Sequence, residues 1–270
     1  MGRRQKMSEQ SATLLLVQLA LLVSLVPPAP AREGPTPVLS TEQIVEKLIA
    51  ANARRAQALQ AYRGKRSYTL EYHGFPGGRS ADMSVEAAYT APDKKEFNIV
   101  SRNGSKLLLT RVLQKLVDSE KEAMQEENRR ATELSPRNYE FNFLQMDRTP
   151  QGNAYVLEVK PRVNYKFLYR GKIWVDTQDF AVEHLEGEPA KNPSFWISRT
   201  RIEQRYGKFG DFWLPIHNQS VTKVRLGGEA VLNISYTDYE INGAMQSEGA
   251  HPSNQEPVMP LAPSDPSHQP

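Results

Sequence analysis

From Ser67 to Ile241 the chain alternates apolar and polar side chains in run after run, with turn-forming residues between the runs. In a strand, successive side chains point to opposite faces, so a period of two lets one face be buried while the other stays wet. Tyr68, Leu70 and Tyr72 alternate with Ser67, Thr69 and Glu71. Beyond the loop Gly74-Phe75-Pro76-Gly77-Gly78, Met83, Val85, Ala87 and Tyr89 oppose Asp82, Ser84, Glu86 and Ala88. Ala91-Pro92-Asp93 is a turn, after which Phe97 and Ile99 continue the apolar face. Tyr139, Phe141 and Phe143 form the next run, then Tyr155, Leu157 and Val159. Ile173, Trp174 and Val175 lie in a run at 170–176, which ends in the turn Asp176-Thr177-Gln178-Asp179. Phe180, Val182 and Leu185 belong to the strand after it. Three longer strands are expected at 195–206, 211–226 and 229–241, with turns at Gly207-Lys208-Phe209-Gly210 and Gly227-Gly228. About ten strands at regular spacing predict one large antiparallel sheet or barrel.

Two segments break the pattern. Ser40-Thr41-Glu42-Gln43 reads as a capping box, and Ile44, Leu48, Ala51, Arg55 and Leu59 fall at helical spacing. This helix is expected to run to about Tyr62 and to end near Gly64. After Gly104-Ser105 the period changes again: Leu109, Val112, Leu113 and Leu116 share one helical face. One or two helices are expected between 105 and 130. A sheet with one apolar face must bury it, and these helices are the available covers. The predicted object is α+β but mainly β: a curled antiparallel sheet, an unclosed barrel of 10–11 strands, with a helical lid.

The ends read differently. Arg3, Arg4 and Lys6 precede an apolar run from Leu14 to Val26, and Pro28-Ala29-Pro30-Ala31 has the small-x-small form of a signal peptidase site. That run is shorter than a membrane-spanning helix needs. Export with cleavage after Ala31 is expected, leaving a linker at 32–39, a domain at 40–242 and a Pro-rich disordered tail at 243–270. The chain has no cysteine. It therefore has neither a lipid-bearing lipoprotein signal nor a disulfide, and the lack of disulfides favours a bacterial envelope. The net charge is +3, and the leader accounts for +2 of it through Arg3, Arg4, Lys6 and Glu9. No basic stripe remains, so no nucleic-acid partner is expected.

Gly171-Lys172-Ile173-Trp174-Val175-Asp176 follows a Lys160-Pro161-Arg162 turn and precedes Phe180-Ala181-Val182 and Phe212-Trp213-Leu214-Pro215. With Asn138-Tyr139-Glu140-Phe141, these residues resemble the outer-membrane lipoprotein-sorting proteins of the LolA-like superfamily, over about residues 40–242. The resemblance implies an open barrel with a helical lid, an apolar cavity for acyl chains, and a periplasmic location. It implies a lipid or lipoprotein ligand, with an envelope protein as the other possible partner, and a monomer is expected. For a lid-contacting arginine, Arg66 and Arg79 are candidates by position.

A carrier site needs apolar side chains facing an unfilled space. The inward candidates are Tyr68, Leu70, Met83, Val85, Phe97, Ile99, Tyr139, Phe141, Phe143, Tyr155 and Leu157, with Trp196, Ile202, Leu214, Ile216, Leu232 and Ile234 from the C-terminal strands. The same alternation also suits a solid core. Leu109, Val112, Leu113 and Leu116 are the lid candidates. Trp174 and Trp213 are expected on the outer face in structural roles. Catalysis has no visible basis. His73, His184, His217, His251 and His268 show no metalloprotease spacing, and there is neither a G-x-S-x-G elbow nor a phosphate loop. Asp176 and Asp179 are expected to bond locally within their turn, and Glu183, Glu186, Glu188 and His184 to form a solvated strand end. No cofactor and no metal is expected.

Overall fold

The computed structural model describes residues 39–192, 197–225 and 227–243. The expected leader, nearly all of the linker, the tail apart from Gly243 (which ends a strand paired with Leu59), and Trp196 lie outside the described residues.

Among the described residues ten strands form one antiparallel sheet. They are β1 (Leu59–His73), β2 (Arg79–Thr90), β3 (Lys94–Gly104), β4 (Tyr139–Thr149), β5 (Gly152–Pro161), β6 (Tyr169–Asp176), β7 (Val182–Pro189), β8 (Ile197–Phe209), β9 (Phe212–Val224) and β10 (Glu229–Gly243). The order is β3-β2-β1-β10-β9-β8-β7-β6-β5-β4. Consecutive strands pair, except that β3 and β4 do not and β10 pairs with β1. The sheet stays open, with β3 and β4 as free edges. Each edge carries an irregularity in mid-strand, leaving Val100 and Leu144 exposed. Such bulges blunt an edge against pairing with another chain.

Helix α1 (Thr41–Ala58) opens as the capping box predicts. The Gln43 amide donates to Ser40 Oγ, and the Ser40 amide donates to Gln43 Oε1. The helix buries Ile44, Val45, Leu48 and Ala51. It stops at Ala58, earlier than the expected Tyr62. Leu59 is already extended, and the Gln60 carbonyl accepts from the Ala91 amide. Tyr62 pairs with Tyr89 in the sheet and stacks on it. Sheet pairing therefore overrides a helical periodicity that could have continued.

Helix α2 runs as Lys106–Leu108, a π turn at Leu109–Leu113, and Gln114–Ala123; α3 is Glu126–Thr132. Gly104 (φ +91) makes the joint between β3 and α2. A Cβ there would stand 2.4 Å from the Ser80 carbonyl oxygen, so only glycine lets the chain leave β3 at this point. Phe180, expected in a strand, instead sits in the β6–β7 turn with φ +47.

Candidate functional site

Cross-strand partners share a face, so the register reads the concave surface directly. One row crosses nine strands as Phe143, Leu157, Ile173, Leu185, Gln204, Asn218, Ile234, Tyr68 and Met83. The next row reads Phe141, Val159, Gly171, Gly187, Ile202, Ser220, Leu232, Leu70 and Ala81. Two apolar wings therefore flank a polar seam on β8 and β9. Across the seam Asn218 Nδ2 donates to Gln204 Oε1 at 2.8 Å, and the hydroxyls of Thr200 and Thr222 lie 3.1 Å apart. Beside it the Gly171–Gly187 pair lets two backbones approach closely, since a Cβ on either would stand 2.0 or 2.5 Å from a carbonyl oxygen of the facing strand.

Helix α2 covers the wing of β1, β2 and β10. Leu108, Leu113 and Val117 join Tyr68, Leu70, Met83, Val85, Leu232 and Ile234 in one buried cluster, against which Phe97, Ile99, Leu109 and Val112 pack. Burying each of the larger side chains is worth about 1.5–3 kcal/mol. Here the sequence-based cavity residues are brought together, but the helix fills the space between them. Leu116 is the exception: it is 36% exposed, and Val117 is buried in its place. The π turn is the cause. Its extra residue rotates the rest of the helix, so the buried stripe steps from Leu108 to Leu113 and on to Val117.

The helix is also held by charge. Arg66 is 5% exposed on the concave face and meets the Glu120 carboxylate from α2 with both terminal nitrogens, at 2.5 and 3.0 Å. Lys95 donates to the same carboxylate. The Arg66 guanidinium lies 5.1 Å from the ring centres of both Phe97 and Tyr236. Burial alone would raise the Glu120 carboxyl, but the hydrogen bond from Arg66 and the charges of Lys95 and Arg66 outweigh it and hold it at about 2. Burial likewise disfavours the charge on Arg66, yet Glu120 reverses the effect and drives its pKa up. Of the two candidate arginines, Arg66 contacts the lid; Arg79 is exposed at the start of β2.

On the other wing Tyr139 and Leu157 are buried, while Phe141, Phe143 and Tyr155 are half-buried. A groove of about 520 Å3 runs between α1 and the start of β4, lined by Val45, Ile49, Pro136, Tyr139 and Phe141 with Glu42, Glu46, Glu140 and Arg162 at its rim. Two sequence-based candidates thus line an open apolar groove. Leu214 is buried, and Ile202 and Ile216 are half-buried.

Trp174 lies on the opposite face from Ile173 and Val175, stacked on His184 and bonded to Asp147. Trp213 donates to Asp179 Oδ2 at 2.9 Å. Asp176 Oδ1 accepts from the amides of Gln178 and Asp179, as its turn requires. Glu183 departs from expectation. It is 3% exposed, and among the described residues neither carboxylate oxygen meets a donor within hydrogen-bond geometry. It is the extra residue where the β6–β7 register shifts between Trp174 and Val175, and that shift turns it out of the solvated face. Among the described residues no His, Asp and Glu side chains group as a metal-binding set, and no helix is long and apolar enough to cross a membrane.

No protein-family model and no curated protein sequence matches the chain. Several solved structures do. A putative outer membrane lipoprotein-sorting protein domain from Vibrio parahaemolyticus is 11% identical over 77% of this chain and 96% of that one, with a TM-score of 0.43. A LolA superfamily protein from Nitrosomonas europaea is 11% identical over 77% and 96%, with a TM-score of 0.32. The MucA/MucB complex of Pseudomonas aeruginosa matches at 10% identity over 72% and 94%, with a TM-score of 0.22.

Proposed function

We propose that this protein is a non-enzymatic periplasmic carrier that takes up the acyl part of a lipid or lipoprotein between its sheet and its helices. The observation that carries this reading is how the apolar concave wing is roofed. The sheet does not close over it; a separate helix does, docked by Leu108, Leu113 and Val117 and latched by Arg66 and Glu120. A roof of this kind can leave without breaking a strand pairing. The side chains it uncovers, Tyr68, Leu70, Met83, Val85, Leu232 and Ile234, are those an acyl chain needs. Each methylene transferred to them gains about 0.8 kcal/mol. The groove lined by Tyr139 and Phe141 offers a second apolar surface that is open without any movement.

Native mass spectrometry of the chain purified from an envelope fraction tests the reading. Bound species with acyl-chain masses are expected, lost when Met83 and Leu232 are both replaced by Asn. A protein that stays free of lipid and instead retains a discrete protein partner would replace the carrier with an interaction module on the same fold.

A further inference from the structure

We infer that the end of the molecule carrying the β1–β2 loop and the start of α2 is a docking surface for an anionic phospholipid membrane. Phe75 is 86% exposed at the tip of the Gly74–Gly78 loop. An exposed ring marks a contact surface only where other exposed apolar groups lie at the same end of the molecule. The loop is built to hold it there. The Gly77 amide donates to the Gly74 carbonyl at 2.7 Å, and the Tyr72 hydroxyl bridges to the Phe75 and Gly227 carbonyls at 3.1 and 3.3 Å. Leu107, 53% exposed, projects from the first turn of α2. The two lie at one end of the sheet, because the Ser105 amide donates to the Ser80 carbonyl next to Arg79, where β2 begins.

Cations surround these apolar groups. Arg79, Lys106, Arg111 and Lys115 are all exposed, and among the described residues none of them is in an ion pair. Of the carboxylates at this end, Glu71 contacts His73, Asp118 accepts from Gln114 and Glu229 pairs in register with Lys223, which leaves Asp82, exposed opposite Asn103, against four cations. An aromatic and a leucine amid unpaired cations match a bilayer surface, where rings settle among headgroups and cations meet anionic lipid. A second copy of the chain does not fit, because a symmetric contact would set these cations against each other.

The absence of cysteine allows a direct test in the full chain. A fluorophore that brightens and shifts to the blue on leaving water is attached at Gly78→Cys beside the loop, or at Asp93→Cys at the opposite end. Each protein is titrated with vesicles of phosphatidylcholine alone or with about one-third phosphatidylglycerol. The label at 78 is expected to shift on the anionic vesicles only, and the label at 93 on neither. Phe75→Ser in the 78-labelled chain is expected to abolish the shift. Arg79→Gln and Lys106→Gln are each expected to weaken binding about fivefold. Equal shifts on neutral vesicles, or equal shifts at 93, would overturn the inference. So would a loop that stays in water on every vesicle, which would leave an acidic protein as the occupant.

Discussion

Two carboxylates set opposite conditions on stability. Glu183 is buried, and desolvation, with the charges of Asp176 and Asp147, raises its pKa against the opposing pull of the Thr149 hydroxyl. A raised carboxyl favours the protonated folded state, so its penalty grows as pH rises through the ordinary carboxylate range. Glu183→Gln is therefore expected to stabilise the protein by about 1 kcal/mol at neutral pH, with the gain vanishing near pH 4, as urea midpoints at the two pH values would show. Glu120 behaves the other way. Its carboxyl is held at about 2 against an ordinary 4.5. The stability it confers is thus complete above about pH 4.5 and is lost as pH falls through about 2. Glu120→Gln strands the Arg66 charge and is expected to cost about 2 kcal/mol at neutral pH. That is below the cost for a fully buried pair, because Glu120 is part exposed. The variant should also lose the acid dependence of the wild type in the same titration.

At the scale of the element, the π turn in α2 decides which residues meet the sheet. Leu109, Val112, Leu113 and Leu116 form a regular stripe in the sequence, and three of the four do pack on the core or beside it. The fourth misses because the helix carries one extra residue per turn between Leu109 and Leu113. The same rotation aims Glu120 at Arg66. Inserting an alanine after Gln114 should undo the phase that the turn sets, placing Leu116 where Val117 now packs and swinging Glu120 away from its partners. A loss of about 2–3 kcal/mol in chemical denaturation is expected, and an unchanged midpoint would show that the turn has no such phasing role.

At the scale of the whole molecule, the carrier reading makes any change in binding a matter of moving helices rather than strands. An engineered disulfide joining α2 to β2 is expected to block acyl-chain uptake when oxidised and to restore it when reduced. Full exchange by the oxidised protein would end the gating role. Much of this architecture is legible in the alternation of residues 67–241, because a period of two admits only strands and an apolar face must be covered. The order within β1–β3 and within β4–β10 follows from short connections, whereas the β1–β10 pairing that joins them does not, and Trp174 and Asp176 take the places their patterns imply. Which apolar residues face a ligand and which face a helix is not legible, since burial against either asks for the same side chains. The end of α1 at Ala58, the buried Glu183 and the inward Val117 depend on pairing register, on a shift in β7 and on a π turn. Each moves a residue's face by one position without leaving a trace in composition. The Arg66–Glu120 contact joins groups 54 positions apart, and only the folding of α2 over the sheet brings them together.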